Sequence, residues 1–210
     1  MPTYKLTYFN IRGLAEPIRL LLSYGGQDFE DVRIDEESWK KLKSNMPMSQ
    51  VPVLEIDGKQ THQHIAISRY LAKQFKLVGD NDWEALQIDT VVDSLVELRR
   101  RIAFLALFVE LYPALRGPDP EVVKKNYEEA VKTTIPFYLE KFNAMAASGY
   151  LANGKLSWAD IYALPFIEFL ESVMKIPVVD KYPNLKKVRD NVMGIPKIKA
   201  WVNKRPVTEY

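Results

Sequence analysis

The feature that most constrains this chain is a change of hydrophobic period near residue 80. Before it, short β-rich and helical stretches alternate. From about Asp82 onward, apolar residues such as Leu86, Val91, Leu95, Leu98 and Ile102 recur at helical spacing and strand signals fade. The segment Tyr4-Lys5-Leu6-Thr7-Tyr8-Phe9 is rich in β-formers and predicts a first strand. After Arg12-Gly13, the run AEPIRLLLSYGG predicts a helix, with Pro17 suited to its first turn and Gly25-Gly26 to its end. A short strand over 29–33 and a short helix or irregular turn over 36–43 follow. Val53 to Ile56, the Asp57-Gly58 turn and Lys59 to Thr61 predict a hairpin. The stretch THQHIAISRYL then opens a helix whose apolar surface comes largely from Ile65, Ile67, Leu71 and Phe75. The resulting order, β-α-β-α-β-β-α, is an α/β layer too small to cover its own faces, so it needs a partner surface.

That partner is supplied by the helical half. Helices are expected over 120–146, 157–173, 185–193 and 195–204, with Pro136 and Pro165 bending two of them or marking their effective starts. Ser157-Trp158-Ala159-Asp160 has the spacing of a capping box, in which the serine hydroxyl accepts from the Asp160 amide and the carboxylate reaches back. Lys76 to Asn81 reads as the linker, giving domains over 1–76 and 82–210.

Composition narrows the chemistry. The 210 residues contain no cysteine, which excludes disulfides, thiolate nucleophiles and sulfur-built zinc sites. Net charge is only +2, and the one dense basic run, Arg99-Arg100-Arg101, lies within an apolar helical pattern, so no nucleic-acid partner is expected. No apolar run approaches the roughly 20 residues of a membrane span. The opening MPTYKLTYFN lacks the charged lead-in and apolar core of a signal peptide, so the expected compartment is the cytosol.

Three places carry candidate chemistry. Tyr8 stands at the carboxyl end of the first strand, where a phenol beside a helix N-terminus can donate to a bound anion; a core or rim aromatic is the alternative. Val51-Pro52 precedes a strand, either as a trans proline opening an edge or as a cis bond that leaves a strand edge open to an extended peptide. Gln63-His64 begins a helix whose first amides lack partners, the natural seat of a carboxylate or phosphate. His62 and His64 could together face a metal from a strand, but neither a third histidine nor a cysteine exists to complete a set, so no metal is expected. His62 alone reads as a packed or rim histidine.

Taken jointly, YKLTYFNIRGLAEPIRLLL, SNMPMSQVPVLEIDGKQTHQ, AISRYLAKQF, LSWADIY and IPKIKAWVNKRPVTEY resemble the cytosolic glutathione transferases nearly end to end. The resemblance is greatest to the sigma class of insects and other invertebrates, which includes the haematopoietic prostaglandin D synthases. It implies a thioredoxin-like α/β N-terminal domain on an all-α C-terminal domain, a homodimer, and glutathione as co-substrate for conjugation to hydrophobic electrophiles. It also implies a cis Val51-Pro52 bond.

By the same resemblance, Tyr8 would stabilise the glutathione thiolate, and Trp39 and Lys43 would hold the glycyl end. Val51 would pair with the cysteinyl segment beside Gln50 and Pro52, and Gln63 and His64 would hold the γ-glutamyl end. Glu97 would stand for an aspartate that reaches the neighbouring subunit's glutathione. The electrophile would lie against Phe9, Gly13, Leu14, Arg100, Phe104, Tyr162 and Tyr210.

The chain departs from the family at several of these places. His64 replaces a serine, and Leu14 stands where the prostaglandin synthases carry arginine. Glu97 stands for aspartate, and Val96 removes an acid from the metal-responsive cluster of those synthases. Residues 105–116 are longer than in most members by about ten residues. These departures keep two alternatives in view: a weakly catalytic, S-crystallin-like binding or structural protein, and, disfavoured by Leu14, a glutathione-dependent prostaglandin isomerase.

Overall fold

The computed structural model describes residues 2–111, 120–172 and 174–208, with the side chains of 103–111 and of Pro120 outside that description. The expected segment 105–116 therefore falls largely outside it. Only its backbone to Leu111 is described, as the end of a long helix.

Four strands form one mixed sheet in the order β2-β1-β3-β4: β1 (Tyr4–Phe9), β2 (Glu30–Ile34), β3 (Val53–Ile56) and β4 (Lys59–His62). β1 runs parallel to β2 and antiparallel to β3, with Thr7 opposite Val53 and Tyr8 opposite Arg33. The parallel pair needs a crossover, which α1 (Glu16–Tyr24) provides. The Asp57-Gly58 turn closes the β3–β4 hairpin as its sequence predicts. α2 (Glu36–Leu42) starts where the Asp35 carboxylate accepts from the Ser38 amide at 2.8 Å. α3 (His64–Gln74) follows β4 directly. The predicted order of elements is thus observed, with the second strand one residue later at each end.

The remaining elements are helical: α4 (Asp82–Leu111), α5 (Pro120–Glu129), α6 (Ile135–Met145), α7 (Trp158–Ser172), α8 (Val178–Lys181), α9 (Pro183–Met193) and α10 (Pro196–Lys204). The expected single helix over 120–146 is interrupted by a π-turn at Ala130–Thr134, just before Pro136. A proline ring clashes with the carbonyl four residues back, and a wide turn at that place relieves the clash. Pro165, by contrast, lies inside a continuous and almost wholly buried α7. The short α8 has no counterpart in the sequence expectation.

α7 is the centre of the helical half. Trp158, Tyr162 and Phe166 are among the largest fully buried side chains. Its start is held by Asp160, whose carboxylate accepts from the Ser157 amide at 2.8 Å, the Ser157 hydroxyl at 3.0 Å and the Leu151 amide at 2.7 Å. The reach-back half of the expected box is present. The other half is reversed, because the serine hydroxyl donates to the carboxylate, and the Asp160 amide donates instead to the Ser157 carbonyl at 3.2 Å.

α1 joins the two halves, packing against α3 on one side and against α7 and α10 on the other. Its apolar stripe, Ile18, Leu21 and Leu22, is fully buried, and so are Glu16 and Arg19. The Glu16 carboxylate accepts from Arg19 at 3.0 Å, from Arg205 at 2.9 Å and from the Trp201 indole at 2.9 Å. Arg205 also donates to Glu168 of α7 at 2.8 Å, and Arg19 to Asp31 at 2.9 Å. Burial opposes the Glu16 charge most strongly. Arg19, Arg205 and the indole together outweigh it and hold the acid below its ordinary range.

Because its folded-state acidity is increased, the stabilisation from Glu16 is present above the ordinary glutamate range and lost as pH falls through the folded value. Glu16→Gln, which keeps the shape and removes the charge, is expected to lower stability by about 1–3 kcal/mol, since two buried guanidinium groups lose one charged acceptor while Asp31 and Glu168 still pair with them. Urea denaturation at neutral pH checks this, and an unchanged midpoint would refute it.

Candidate active site

The sheet, the α3 N-terminus and the long α4 helix enclose a cleft of about 340 Å³. Its sheet-side wall comes from Leu14, Gln50–Pro52 and His62–His64; its helical wall comes from Val96, Arg99, Arg100 and Tyr162. Both histidines therefore face one cavity. Among the described residues, no group of three His, Cys, Asp or Glu side chains could hold a metal ion.

Tyr8 ends β1 almost completely buried, and its hydroxyl oxygen accepts from the Leu14 amide at 3.2 Å. With that lone pair occupied, the phenolic proton is free to donate elsewhere. The turn that brings Leu14 round has Gly13 at a φ of 48°, and a Cβ there would lie 2.7 Å from the Tyr8 hydroxyl. Glycine is thus required twice, for the backbone angle and for the space beside the phenol. Arg19 fixes the same turn by donating to the carbonyls of Ile11 at 2.9 Å and Arg12 at 3.3 Å.

The Val51–Pro52 bond is cis, as the resemblance implies. Beyond it, Gln63 sits at φ 71°, ψ 99°, outside the regions open to ordinary residues, with its carbonyl accepting from the Ile67 amide at 3.0 Å. A non-glycine residue held there costs about 1–3 kcal/mol, and such residues cluster at ligand sites.

The His64 side chain turns toward the helical half. Its ring is buried, and its Nε2 lies 3.2 Å from the Tyr162 hydroxyl, across the gap between α3 and α7. Burial first, then the positive charges of Arg99 and Arg100, lower its pKa from 6.5 to about 4. The ring is therefore neutral at pH 7, chiefly through desolvation. Tyr162, itself 1% exposed, is pushed up to about 12 by burial.

The other expected site residues are more dispersed. Phe9 packs edge-on against Tyr8 at 5.6 Å and Trp39 at 5.5 Å between ring centres, which carries an aromatic row from the phenol toward α2. Lys43 is exposed just past that row. Glu97 points away from the cleft, accepting from Arg101 at 2.6 Å. The Phe104 side chain and Tyr210 lie outside the described residues. Arg99, Val96 and His62 belong to the cleft although no site role was expected of them. For the first two the signal was helical spacing, since 96, 99 and 100 share a face of α4 with each other.

Comparison with known proteins decides the family. The N-terminal domain of glutathione S-transferases matches residues 4–73, and the C-terminal domain matches residues 107–205. A glutathione S-transferase of Anopheles gambiae is 45% identical over the whole of both chains. The chain belongs to the glutathione S-transferase family.

Within that family, a prostaglandin synthase D structure from Nilaparvata lugens superposes with a TM-score of 0.88 at 48% identity, covering 98% of this chain and 100% of that one. The haematopoietic prostaglandin D synthase of Gallus gallus is 36% identical over 99% of each chain. The fold is that of the glutathione S-transferases, a thioredoxin-like sheet domain on an all-helical one.

His64→Ser is expected to reduce acid sensitivity. The folded protein refuses a proton that the unfolded chain takes up below the ordinary pKa of 6.5, so stability is lost between 6.5 and about 4. The shift is worth about 3 kcal/mol, which the serine variant does not lose. Denaturant melts at pH 7.5 and pH 4 compare the two, and equal acid losses would show that His64 is not the titrating group.

Proposed function

We propose that this protein conjugates reduced glutathione to hydrophobic electrophiles as a sigma-class transferase, with Tyr8 as the catalytic residue. The observation that carries this reading is the Tyr8 hydroxyl, which accepts from the amide of the cleft-lining Leu14 and keeps its own proton to donate. A tripeptide thiol needs a strand edge, anion donors at its ends and one proton donor near sulfur. Val51 offers the edge. The amides at the start of α3 offer the γ-glutamyl end a seat, with Gln63 beside them. Trp39 and Lys43 would receive the glycyl end beyond Phe9.

The energetics suffice. A free thiol with a pKa near 8.5 is a few per cent thiolate at neutral pH, and lowering it by about 2 units needs about 2.7 kcal/mol. One hydrogen bond to a charged acceptor supplies about 1.5–3 kcal/mol. The thiolate then attacks the electrophilic carbon. With an aryl halide, a carbon–sulfur bond forms and halide leaves; with an unsaturated aldehyde, the product takes up a proton from solvent. No step calls on a metal.

We also propose a division into domains over 1–76 and 82–210, a cytosolic location and a homodimer. No described helix is long and apolar enough to cross a membrane. Support for the dimer comes from Tyr70, Trp83 and Leu86, large apolar side chains exposed on α3 and the first turns of α4. Sedimentation at micromolar concentration should give twice the chain mass, and a monomer would overturn that proposal. Glutathione-dependent isomerisation is a second reading, supported by the two prostaglandin synthase relatives.

Tyr8→Phe should lower turnover of a chloronitrobenzene by at least about tenfold while glutathione affinity changes little, because one charge-assisted hydrogen bond is lost. Steady-state kinetics and calorimetry measure the two effects. An unchanged thiol pKa of bound glutathione in the variant would remove Tyr8 from the catalytic role.

A further inference from the structure

The residues lining the cleft include two arginines and no acid. Three acids of the middle of α4 have other partners. Asp89 and Asp93 approach Arg69 at 2.9 and 4.0 Å, and Glu97 accepts from Arg101 at 2.6 Å. Among the described residues, neither Arg99 nor Arg100 forms an ion pair. Arg99 is held in place by the Phe169 ring, 5.7 Å from its guanidinium carbon, and by a side-chain hydrogen bond to Tyr162, while Arg100 is exposed. The histidine beside them is no competing cation, because its ring is buried against Tyr162. The field of both guanidinium groups reaches into the cavity, since each opposes protonation of His64. A concave wall lined by one sign of charge concentrates ligands of the opposite sign.

We infer that Arg99 and Arg100 form an anion-binding wall for the second substrate, so that the preferred electrophiles are amphipaths carrying a carboxylate remote from the reacting carbon. The inference rests on the conjugation reading above. Leu14, whose amide engages Tyr8, marks the sulfur end of the cleft, and the arginines stand on its helical wall. Leu14 and Val96 supply the apolar surface of the same cavity. Glutathione's own carboxylates have candidate seats on the sheet side, which leaves the two guanidinium groups for the other reactant.

The test uses two product-like ligands of equal chain length, S-hexylglutathione and S-(5-carboxypentyl)glutathione, titrated into the full-length protein by calorimetry. An apolar wall prefers the hexyl chain. The arginine wall should bind the carboxylate ligand about tenfold more tightly, as expected for a charge-assisted hydrogen bond in a concave site. That preference should shrink as ionic strength rises. Arg99→Gln and Arg100→Gln should each erode the ratio of the two affinities, and Arg100→Lys should retain most of it. The ratio is internal to each variant, so a general loss of folded protein does not imitate the result.

Equal affinities, or tighter hexyl binding, in the parent protein would overturn the inference and leave the conjugation reading standing. Equal losses for both ligands in the glutamine variants would assign the arginines to the tripeptide and also overturn it. If the parent protein bound neither ligand nor glutathione, the conjugation reading itself would fall and take this inference with it.

Discussion

The buried charge of Glu16 is the constraint on which the rest of the structure depends. A carboxylate removed from water is tolerable only with full compensation, and here Arg19, Arg205 and the Trp201 indole provide it. Two of these donors come from the end of the chain, so the charge can be satisfied only when the C-terminal helix has docked on α1. The same network fixes the turn beside the candidate phenol, because the Arg19 Nη1 that meets Glu16 also donates to the carbonyls of Ile11 and Arg12. Domain docking and the placement of Leu14 against Tyr8 are therefore consequences of one electrostatic requirement.

The cleft follows from that docking. The sheet domain carries a phenol, the cis Val51–Pro52 backbone ahead of β3 and a helix N-terminus. The helical domain brings apolar surface and two arginines across from them. Contact between the two walls is made by His64 and Tyr162, whose ring nitrogen and hydroxyl meet at 3.2 Å. A serine at position 64 could not span that distance to α7. The histidine thus ties the two walls together, and burial keeps it neutral.

Much of the fold was legible because it rests on local rules. The sheet strands, the hairpin on Asp57-Gly58, the Pro17 start of α1 and the order of elements follow from propensity, periodicity and turn chemistry. The reach of Asp160 back to Ser157 is equally local. Elsewhere, neighbours resolved local conflicts. The helix before Pro136 widened into a π-turn to accommodate the ring, whereas Pro165 stayed inside a helix whose burial on nearly all sides outweighs one lost hydrogen bond. The serine hydroxyl at α7 donates rather than accepts, because a buried carboxylate is the stronger acceptor nearby.

The sequence by itself determined which segments become strands and helices, the candidate phenol near the end of β1, and the absence of any cysteine chemistry of the chain's own. These depend on residues close together in the chain, or on composition alone. Tertiary structure alone decided where His64 points, that Arg99 joins Arg100 in the cleft, and that Glu16 meets Arg205. Each of the three depends on which groups burial brings together and how their charges are compensated. Those are properties of the packed interior, in which partners such as Glu16 and Arg205 lie 189 positions apart and no local pattern records their meeting.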